Sequence, residues 1–122
     1  MILGILAASA LCVSAVAAAS AAPAAIDQAE WAGEKKTITL PNGQRLAYVE
    51  WGDPKGAPVL LLHGFTDTSR SWTQVLPYLS DFRVIMPDQR GHGAASKPEC
   101  CYALADFAYD AKLLMDALKI ER

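Results

Sequence analysis

Two short and mostly apolar runs, residues 59–62 and 83–86, constrain the fold of this chain more than any other feature of its sequence. Neither run alternates between apolar and polar residues, as a strand with one solvent-exposed face would. Turn-forming residues precede the first run at positions 52–56, and Pro87 follows the second run and is expected to end it. Such uninterrupted runs are typical of strands that are buried on both faces of a parallel sheet. The sequence therefore predicts an α/β fold built around these two strands.

The segments around the two runs predict a hairpin before them and helices between and after them. Residues 37–40 and 45–51 have strand character and flank Asn42-Gly43, a strong hairpin-turn signal. Helical spacing over residues 71–81 is interrupted by Pro77, which is expected to weaken this helix or split it into two short pieces. The strongest helical pattern covers residues 104–119 and has one apolar stripe that is expected to face the core. The stripe comprises Leu104, Phe107, Ala108, Ala111, Leu114, Met115 and Leu118.

The first 25 residues are rich in alanine and carry no charged side chain. Their end, Ala-Ser-Ala at 19–21 and Ala-Pro-Ala at 22–24, fits the pattern that signal peptidases cleave, although no Lys or Arg precedes the apolar stretch. We interpret residues 1–25 as a signal peptide, residues 26–36 as a short polar linker and residues 37–122 as a partial domain. An uncleaved anchor is the alternative. The mature protein is predicted to be secreted or periplasmic, with no stable membrane span after cleavage.

Composition and charge argue against several classes of function. The chain has 11 basic and 13 acidic residues, with both signs mixed after residue 25, so no nucleic-acid surface is predicted. Cys100 and Cys101 are adjacent, which is not the spacing of a zinc site, and we predict neither a metal nor a cofactor. The order Gly91-His92-Gly93 fails to continue into a dinucleotide fingerprint, because Ser96 occupies its sixth position. A disulfide between the adjacent Cys100 and Cys101 would be strained, so free cysteines are favoured at these two positions.

Glycines and polar residues follow both apolar runs. His63 and Gly64 come directly after the first run, and Gly64 would let a ligand approach the backbone closely, so that the Phe65 N–H could donate to an oxyanion. The second run leads into Asp88-Gln89-Arg90-Gly91-His92-Gly93, where Asp88 and Arg90 are expected to form an ion pair that fixes the loop. Ligands of open α/β sheets bind at the carboxyl ends of strands, so these two loops predict the site. Asp67 is expected to be a solvated loop carboxylate.

Together these residues resemble the N-terminal part of the α/β-hydrolase superfamily, over about residues 37–122. The resemblance rests on His63-Gly64-Phe65, Trp72, the motif at 88–93 and Lys97-Pro98. It implies a sheet that begins with an antiparallel hairpin, continues with parallel strands, and is incomplete here. It also implies an esterase-like or lipase-like enzyme that attacks a small-molecule ester through a serine on a G-x-S-x-G turn.

The resemblance implies a role for each matching residue. The Phe65 N–H would be one of two oxyanion donors, and His63 and Gly64 would shape its loop. The loop after the fourth strand would be held by Asp88, Arg90, Gly91, His92 and Gly93. Relatives usually carry a serine where this chain has Ala95, and the neighbouring Ser96 is the candidate to replace it.

The catalytic residues of the family are absent from this sequence. No G-x-S-x-G occurs, and the catalytic histidine of this fold comes last in the chain, so neither His63 nor His92 is expected to act as the base. The chain alone is therefore expected to be inactive. One alternative is an Asp-nucleophile dehalogenase or epoxide hydrolase, although epoxide-opening relatives usually have Pro at the position of Thr66. Another is a non-catalytic truncated chain or a ligand-binding relative. A G-x-S-x-G or a G-x-D-x-G downstream would discriminate among them.

Overall fold

The computed structural model describes residues 26–121, so the predicted signal peptide lies outside the described residues. Within these residues, four strands form one mixed sheet in the order β1-β2-β4-β3. The strands are β1 (Lys36–Thr39), β2 (Arg45–Gly52), β3 (Pro58–Leu60) and β4 (Arg83–Asp88). β2 pairs antiparallel with both β1 and β4, whereas β3 and β4 are parallel. The predicted α/β class, a hairpin followed by a parallel pair, is confirmed.

Short helical segments connect and flank the strands. Helix α1 (Gln28–Gly33) precedes the sheet, and helix α2 (Leu104–Ala117) follows it. Two 3₁₀ helices, Ser69–Gln74 and Leu76–Tyr78, lie between β3 and β4, where the sequence predicted a helix weakened by Pro77. The segment is split as expected, because Pro77 has no N–H to continue a helical ladder. Within residues 26–121, no helix has both the length and the apolar character that crossing a membrane requires.

The core has two parts, one on each face of the sheet. Alternate residues of β2 and β4 point to opposite faces, as the pleat of a strand requires. One cluster lies beneath α2 and contains Leu40, Leu46, Tyr48, Ile85, Ala95, Leu113, Leu114 and Ile120. The other lies beneath α1 and the 3₁₀ helices and contains Trp31, Val49, Leu76, Val84 and Met86. Strand β4 is therefore buried on both faces, as its apolar run predicted.

The run at residues 59–62 is less buried than the sequence predicted. β3 lies at the edge of the sheet, and its outer edge pairs with no strand among the described residues. Val59 and Leu60 are only half-buried, and Leu62 is 40% exposed. The prediction of burial on both faces was wrong for this strand, because such burial requires neighbours on each side, and within residues 26–121 β3 has only β4 beside it.

β4 continues through Pro87, which was predicted to end it. Pro87 pairs with Tyr48 of β2. The Leu61 N–H donates to the Ile85 oxygen at 2.9 Å, so the backbone N–H and C=O of Ile85 face β3. Backbone groups of a strand face the same neighbour at every second residue, so those of Pro87 face the β3 side also. β3 ends before it reaches Pro87. The missing N–H of this proline therefore removes no hydrogen bond from the sheet.

Residues 26–36 are part of the folded unit, so their interpretation as a polar linker was wrong. The Asp27 carboxylate caps α1 by accepting the N–H groups of Ala29 and Glu30, at 2.8 and 3.0 Å. Trp31 is buried in the second core cluster, and Lys36 begins β1. The polar composition concealed this role, because Trp31 is the one buried residue of α1.

Helix α2 buries only part of its predicted stripe. Ala111 and Leu114 are buried as expected, but Leu104 is 88% exposed, and Asp110 and Leu113 are buried instead. The first turn of the helix faces a cleft rather than the core, which explains the exposed start of the stripe. Ala103 cannot cap the helix with its side chain; its N–H donates to the Asp106 carboxylate at 2.9 Å.

Candidate active site

A cleft of about 640 Å³ lies where the parallel strands β3 and β4 end. Its walls are the loop after β3, the loop after β4 and the first turn of α2. The lining residues are mostly apolar or aromatic: His63, Gly64, Phe65, Thr66, Gln89, Gly91, His92, Tyr102, Leu104 and Phe107. The two loops that the sequence predicted to form a site therefore lie next to each other.

Hydrogen bonds of His63 connect the loop after β3 to the loop after β4. Its side chain is buried, and its Nε2 accepts the Gln89 N–H at 3.0 Å. This leaves the proton on Nδ1, which lies 2.8 Å from the Gly64 carbonyl oxygen and donates to it. The Gln89 side-chain amide in turn donates to the His63 carbonyl. Because both ring nitrogens are hydrogen-bonded, His63 has no free nitrogen with which to act as a general base.

The His63–Gly64 hydrogen bond also orients the Phe65 N–H. The Gly64 carbonyl and the Phe65 N–H belong to one trans peptide unit, so they point in opposite directions. The N–H is thus directed away from the His63 ring, and it donates to no acceptor among residues 26–121. The space beside Gly64 is open, since a Cβ placed there would meet no atom within 4 Å. An N–H held in this way is suited to stabilising negative charge on a ligand oxygen.

Asp88 is a fully buried carboxylate with four donors. Its Oδ1 accepts the Ser69 N–H and hydroxyl at 2.9 and 2.7 Å. Its Oδ2 accepts the Ala94 N–H at 2.9 Å and the Lys35 ammonium at 2.6 Å. Burial is the largest single influence on the pKa of Asp88 and raises it, but the bonds from Ala94, Lys35 and Ser69 together hold the pKa below its ordinary value. Asp88 therefore fixes the loop as an anion.

The predicted ion pair between Asp88 and Arg90 does not form. Arg90 instead binds Asp110 of α2 in a bidentate arrangement, with Nε–Oδ2 and Nη2–Oδ1 distances of 2.6 and 2.7 Å. The pKa of Arg90 is raised, mainly by this hydrogen bonding. The prediction failed because each of the two residues has a better-placed partner from a distant part of the chain. Asp88 pairs with Lys35, and Arg90 pairs with Asp110. In the sequence Asp110 is one of several charged residues of α2, together with Asp106, Lys112 and Asp116, so nothing local marked it as the partner of Arg90.

Two glycines allow the loop after β4 to close tightly. Gly93 has a φ of +48°, and a Cβ there would lie 2.2 Å from Asp88 Oδ2. Gly91 has a φ of +80°, and a Cβ there would lie 2.5 Å from the Tyr102 ring. Both positions combine a left-handed backbone with close packing, which only glycine accommodates.

The remaining loop residues mostly have structural contacts. His92 Nδ1 lies 2.9 Å from the Arg90 carbonyl oxygen, and its ring stands 5.1 Å from that of His63. The Ser96 hydroxyl donates to Gln44 at 2.9 Å and accepts the Arg45 N–H at 3.1 Å. Ser96 thus connects the loop to the hairpin beside the buried Ala95.

Asp67, on the loop after β3, is exposed, and its carboxylate accepts the Thr68 N–H at 2.8 Å. This is the solvated loop carboxylate that the sequence predicted. The state of Cys100 and Cys101 differs from the prediction: the free cysteines that the sequence favoured are joined in a vicinal disulfide.

Residues 57–122 match the family described as the alpha/beta hydrolase fold. The chain belongs to this family. It is similar to Epoxide hydrolase A of Mycobacterium tuberculosis, with 43% identity over 86 residues, 66% of this chain and 26% of that protein. It is also similar to Lipase 1 of Psychrobacter immobilis, with 38% identity over 65 residues, 53% of this chain and 20% of that protein. A crystal structure of a hydrolase from Pseudomonas aeruginosa PA01 matches with a TM-score of 0.70 and 36% identity, over 75% of this chain and 35% of that one.

These similarities confirm the predicted family, whose members include enzymes of more than one chemistry. The chain spans about a quarter of the length of Epoxide hydrolase A and about a fifth of the length of Lipase 1. One relative is named for epoxide hydrolysis and the other for lipase activity. Membership therefore establishes the alpha/beta hydrolase fold and leaves the reaction to be argued from the site.

Proposed function

We propose that this chain forms the oxyanion-binding side of a hydrolase active site that acts on an ester or similar acyl bond of a small molecule. The observation that supports this proposal is the orientation of the Phe65 N–H. It belongs to a peptide unit whose carbonyl is bonded to the His63 ring, and it donates to no acceptor within the described part of the chain. In acyl transfer the carbonyl oxygen gains negative charge as a nucleophile attacks, and such a donor stabilises that charge.

The other residues of the two loops have supporting roles in this proposal. His63 fixes the orientation of the Gly64–Phe65 peptide, and Gln89 fixes His63 from the loop after β4. Asp88 holds that second loop through Ser69 and Ala94. Neither histidine is assigned a proton-transfer role. A serine nucleophile and its base would be supplied by sequence outside these 122 residues, because no G-x-S-x-G occurs within them.

An Asp nucleophile that opens an epoxide is the second candidate, and the similarity to Epoxide hydrolase A favours it. The Phe65 N–H has a use in this chemistry also, since the ester formed on the aspartate is hydrolysed through an oxyanion. Thr66, where epoxide-opening relatives usually have proline, favours the acyl reaction.

Two measurements on the protein encoded by the whole reading frame that contains this chain separate the candidates. The first compares turnover of p-nitrophenyl butyrate with that of styrene oxide. The second tests for labelling by a fluorophosphonate, which reacts with an activated serine. Ester turnover with stoichiometric labelling is expected. Diol formation from the epoxide without labelling would favour the second candidate, and turnover of neither substrate would contradict both.

The 122-residue chain by itself serves as the control for these assays. It contains the loop with the Phe65 N–H but no G-x-S-x-G turn, so it is expected to hydrolyse the ester no faster than background and to remain unlabelled. Stoichiometric labelling of this chain would require an activated serine within it and would contradict the assignment of the nucleophile to other sequence.

A further inference from the structure

We propose that Cys100 and Cys101 form a redox modification site that controls the wall of the cleft. The two sulfur atoms are bonded to each other, and both residues are exposed to solvent. A small dithiol can therefore reach the bond. The proposal concerns the shape of the cleft and holds whichever reaction the cleft serves.

The disulfide closes a small ring that contains the peptide bond between the two cysteines. Within this ring Cys101 has a φ of +74°, a left-handed conformation that side-chain-bearing residues disfavour. The Cys101 carbonyl accepts a hydrogen bond from Arg90 Nη1 at 2.7 Å. Arg90 is itself bonded to Asp110, so the ring is attached directly to the buried network beneath the cleft.

The residues that follow the ring form one wall of the cleft. Tyr102 packs against Gly91, where an added Cβ would be 2.5 Å from its ring, and its hydroxyl donates to the Pro98 carbonyl at 2.6 Å. The Tyr102 and Phe107 rings lie 6.3 Å apart, and Phe107 lies a further 6.3 Å from His92. The backbone conformation at Cys101 therefore determines where Tyr102, and with it this aromatic wall, is placed.

Reduction would release this conformation. A dithiol supplies two electrons and two protons, the bond between the two sulfur atoms breaks, two thiols form on the protein, and the dithiol becomes a disulfide. Without the ring, Cys101 can return to an ordinary negative φ. That change would turn its carbonyl away from Arg90 and loosen the contact between Tyr102 and Gly91. Oxidation would restore the closed wall.

The state of the cysteines is measured first, by alkylating the purified chain under non-reducing conditions and analysing its peptides by mass spectrometry. The peptide that contains both cysteines is expected to be unalkylated and two hydrogen atoms lighter than its dithiol form. After dithiothreitol treatment both residues are expected to be alkylated. Alkylation of both cysteines in the untreated, oxidised protein would overturn the proposal.

The effect on the wall is measured by amide hydrogen exchange over residues 98–107. In the oxidised protein the Ala103 N–H is protected by the Asp106 carboxylate. Reduction is expected to accelerate exchange in this segment roughly 5- to 30-fold, the ratio that corresponds to relief of one left-handed non-glycine residue. Exchange that is the same in both redox states would overturn the proposal.

Two double variants separate the disulfide from the backbone conformation that it imposes. C100A/C101G cannot form the bond, but glycine adopts the required positive φ readily. Amide exchange over residues 98–107 of this variant is therefore expected to stay near that of the oxidised protein and to be unchanged by dithiothreitol. C100A/C101A is expected to exchange like the reduced protein. Equal exchange in the two variants would contradict the role assigned to Cys101.

Discussion

Replacing Lys35 by methionine is expected to destabilise the fold, because Lys35 is the single cationic partner of the fully buried Asp88 within residues 26–121. Removing one member of a buried ion pair costs roughly 3–5 kcal/mol of unfolding free energy. Two features of this pair reduce that figure. The Lys35 side chain is 21% exposed, and Asp88 keeps its three donors from Ser69 and Ala94. We therefore expect a loss of about 2–3 kcal/mol, the upper range for one hydrogen bond to a charged group.

The pH dependence of this loss follows from the pKa of Asp88. That pKa is below its ordinary value of 3.8, so ionised Asp88 stabilises the fold above that value, and its contribution is lost as pH falls through the lower pKa of the folded state. Lys35 is one of the groups that lower this pKa, so the pKa of Asp88 should be higher in Lys35→Met. The stability difference between the two proteins should be constant near neutral pH and should narrow once pH falls below the pKa of Asp88 in the variant.

Urea unfolding followed by tryptophan fluorescence measures this difference, since Trp31 is buried next to the segment concerned. Low micromolar protein limits association through the edge of β3. Lys36→Met is the matched control: the Lys36 side chain is 54% exposed and lies 3.4 Å from Glu50, and such surface pairs contribute about 0–1 kcal/mol. Equal losses in the two variants, or a loss in Lys35→Met below about 1 kcal/mol, would refute the argument from burial.

The loop after β4, the edge of β3 and the predicted signal peptide each give a further expected outcome. Gly93→Ala is expected to cost at least about 2 kcal/mol in the same unfolding assay, because a left-handed alanine alone costs roughly 1–2 kcal/mol and its Cβ would meet Asp88. Gly33→Ala, at the last residue of α1 and with open space around its Cβ, should not destabilise the protein and should stabilise it by up to about 1 kcal/mol; a loss equal to that of Gly93→Ala would contradict the explanation. The outer edge of β3 pairs with no strand among residues 26–121, so it should cause concentration-dependent association in sedimentation experiments; a monomer at all concentrations would show that the edge is protected. Export should remove residues 1–21 or so, which N-terminal sequencing would detect, whereas intact Met1 on a soluble cytoplasmic product would contradict it.

Features set by local pattern could be predicted from the sequence, and features set by distant partners could not. The run at residues 83–86 produced a fully buried strand because its apolar residues face core on both sides, and the motifs after the two strands correctly indicated where the cleft forms. The same type of run at 59–62 is half-exposed, since burial depends on which strands lie beside it.

Charge pairing could not be predicted for the same reason. Asp88 and Arg90 are close in sequence and carry opposite charges, yet their partners, Lys35 and Asp110, come from α1's C-terminal side and from α2. Lys35 lies in a stretch whose polar composition resembled a linker. Only the fold, which places this stretch across the sheet, shows that it contributes to the loop after β4.

One kinetic measurement separates the contribution of the Phe65 N–H from that of the Phe65 side chain. Phe65→Pro removes the N–H, whereas Phe65→Ala removes only the side chain, which is 88% exposed, and keeps the N–H. In the protein encoded by the whole reading frame, and with the proposed acyl reaction as the assay, Phe65→Pro is expected to lower kcat roughly 10²- to 10³-fold, as loss of one oxyanion donor does. Phe65→Ala is expected to keep kcat within a few-fold of the unaltered enzyme, with the effect of the lost ring falling on KM. Equal kcat values for the two variants would contradict the proposed role of this N–H.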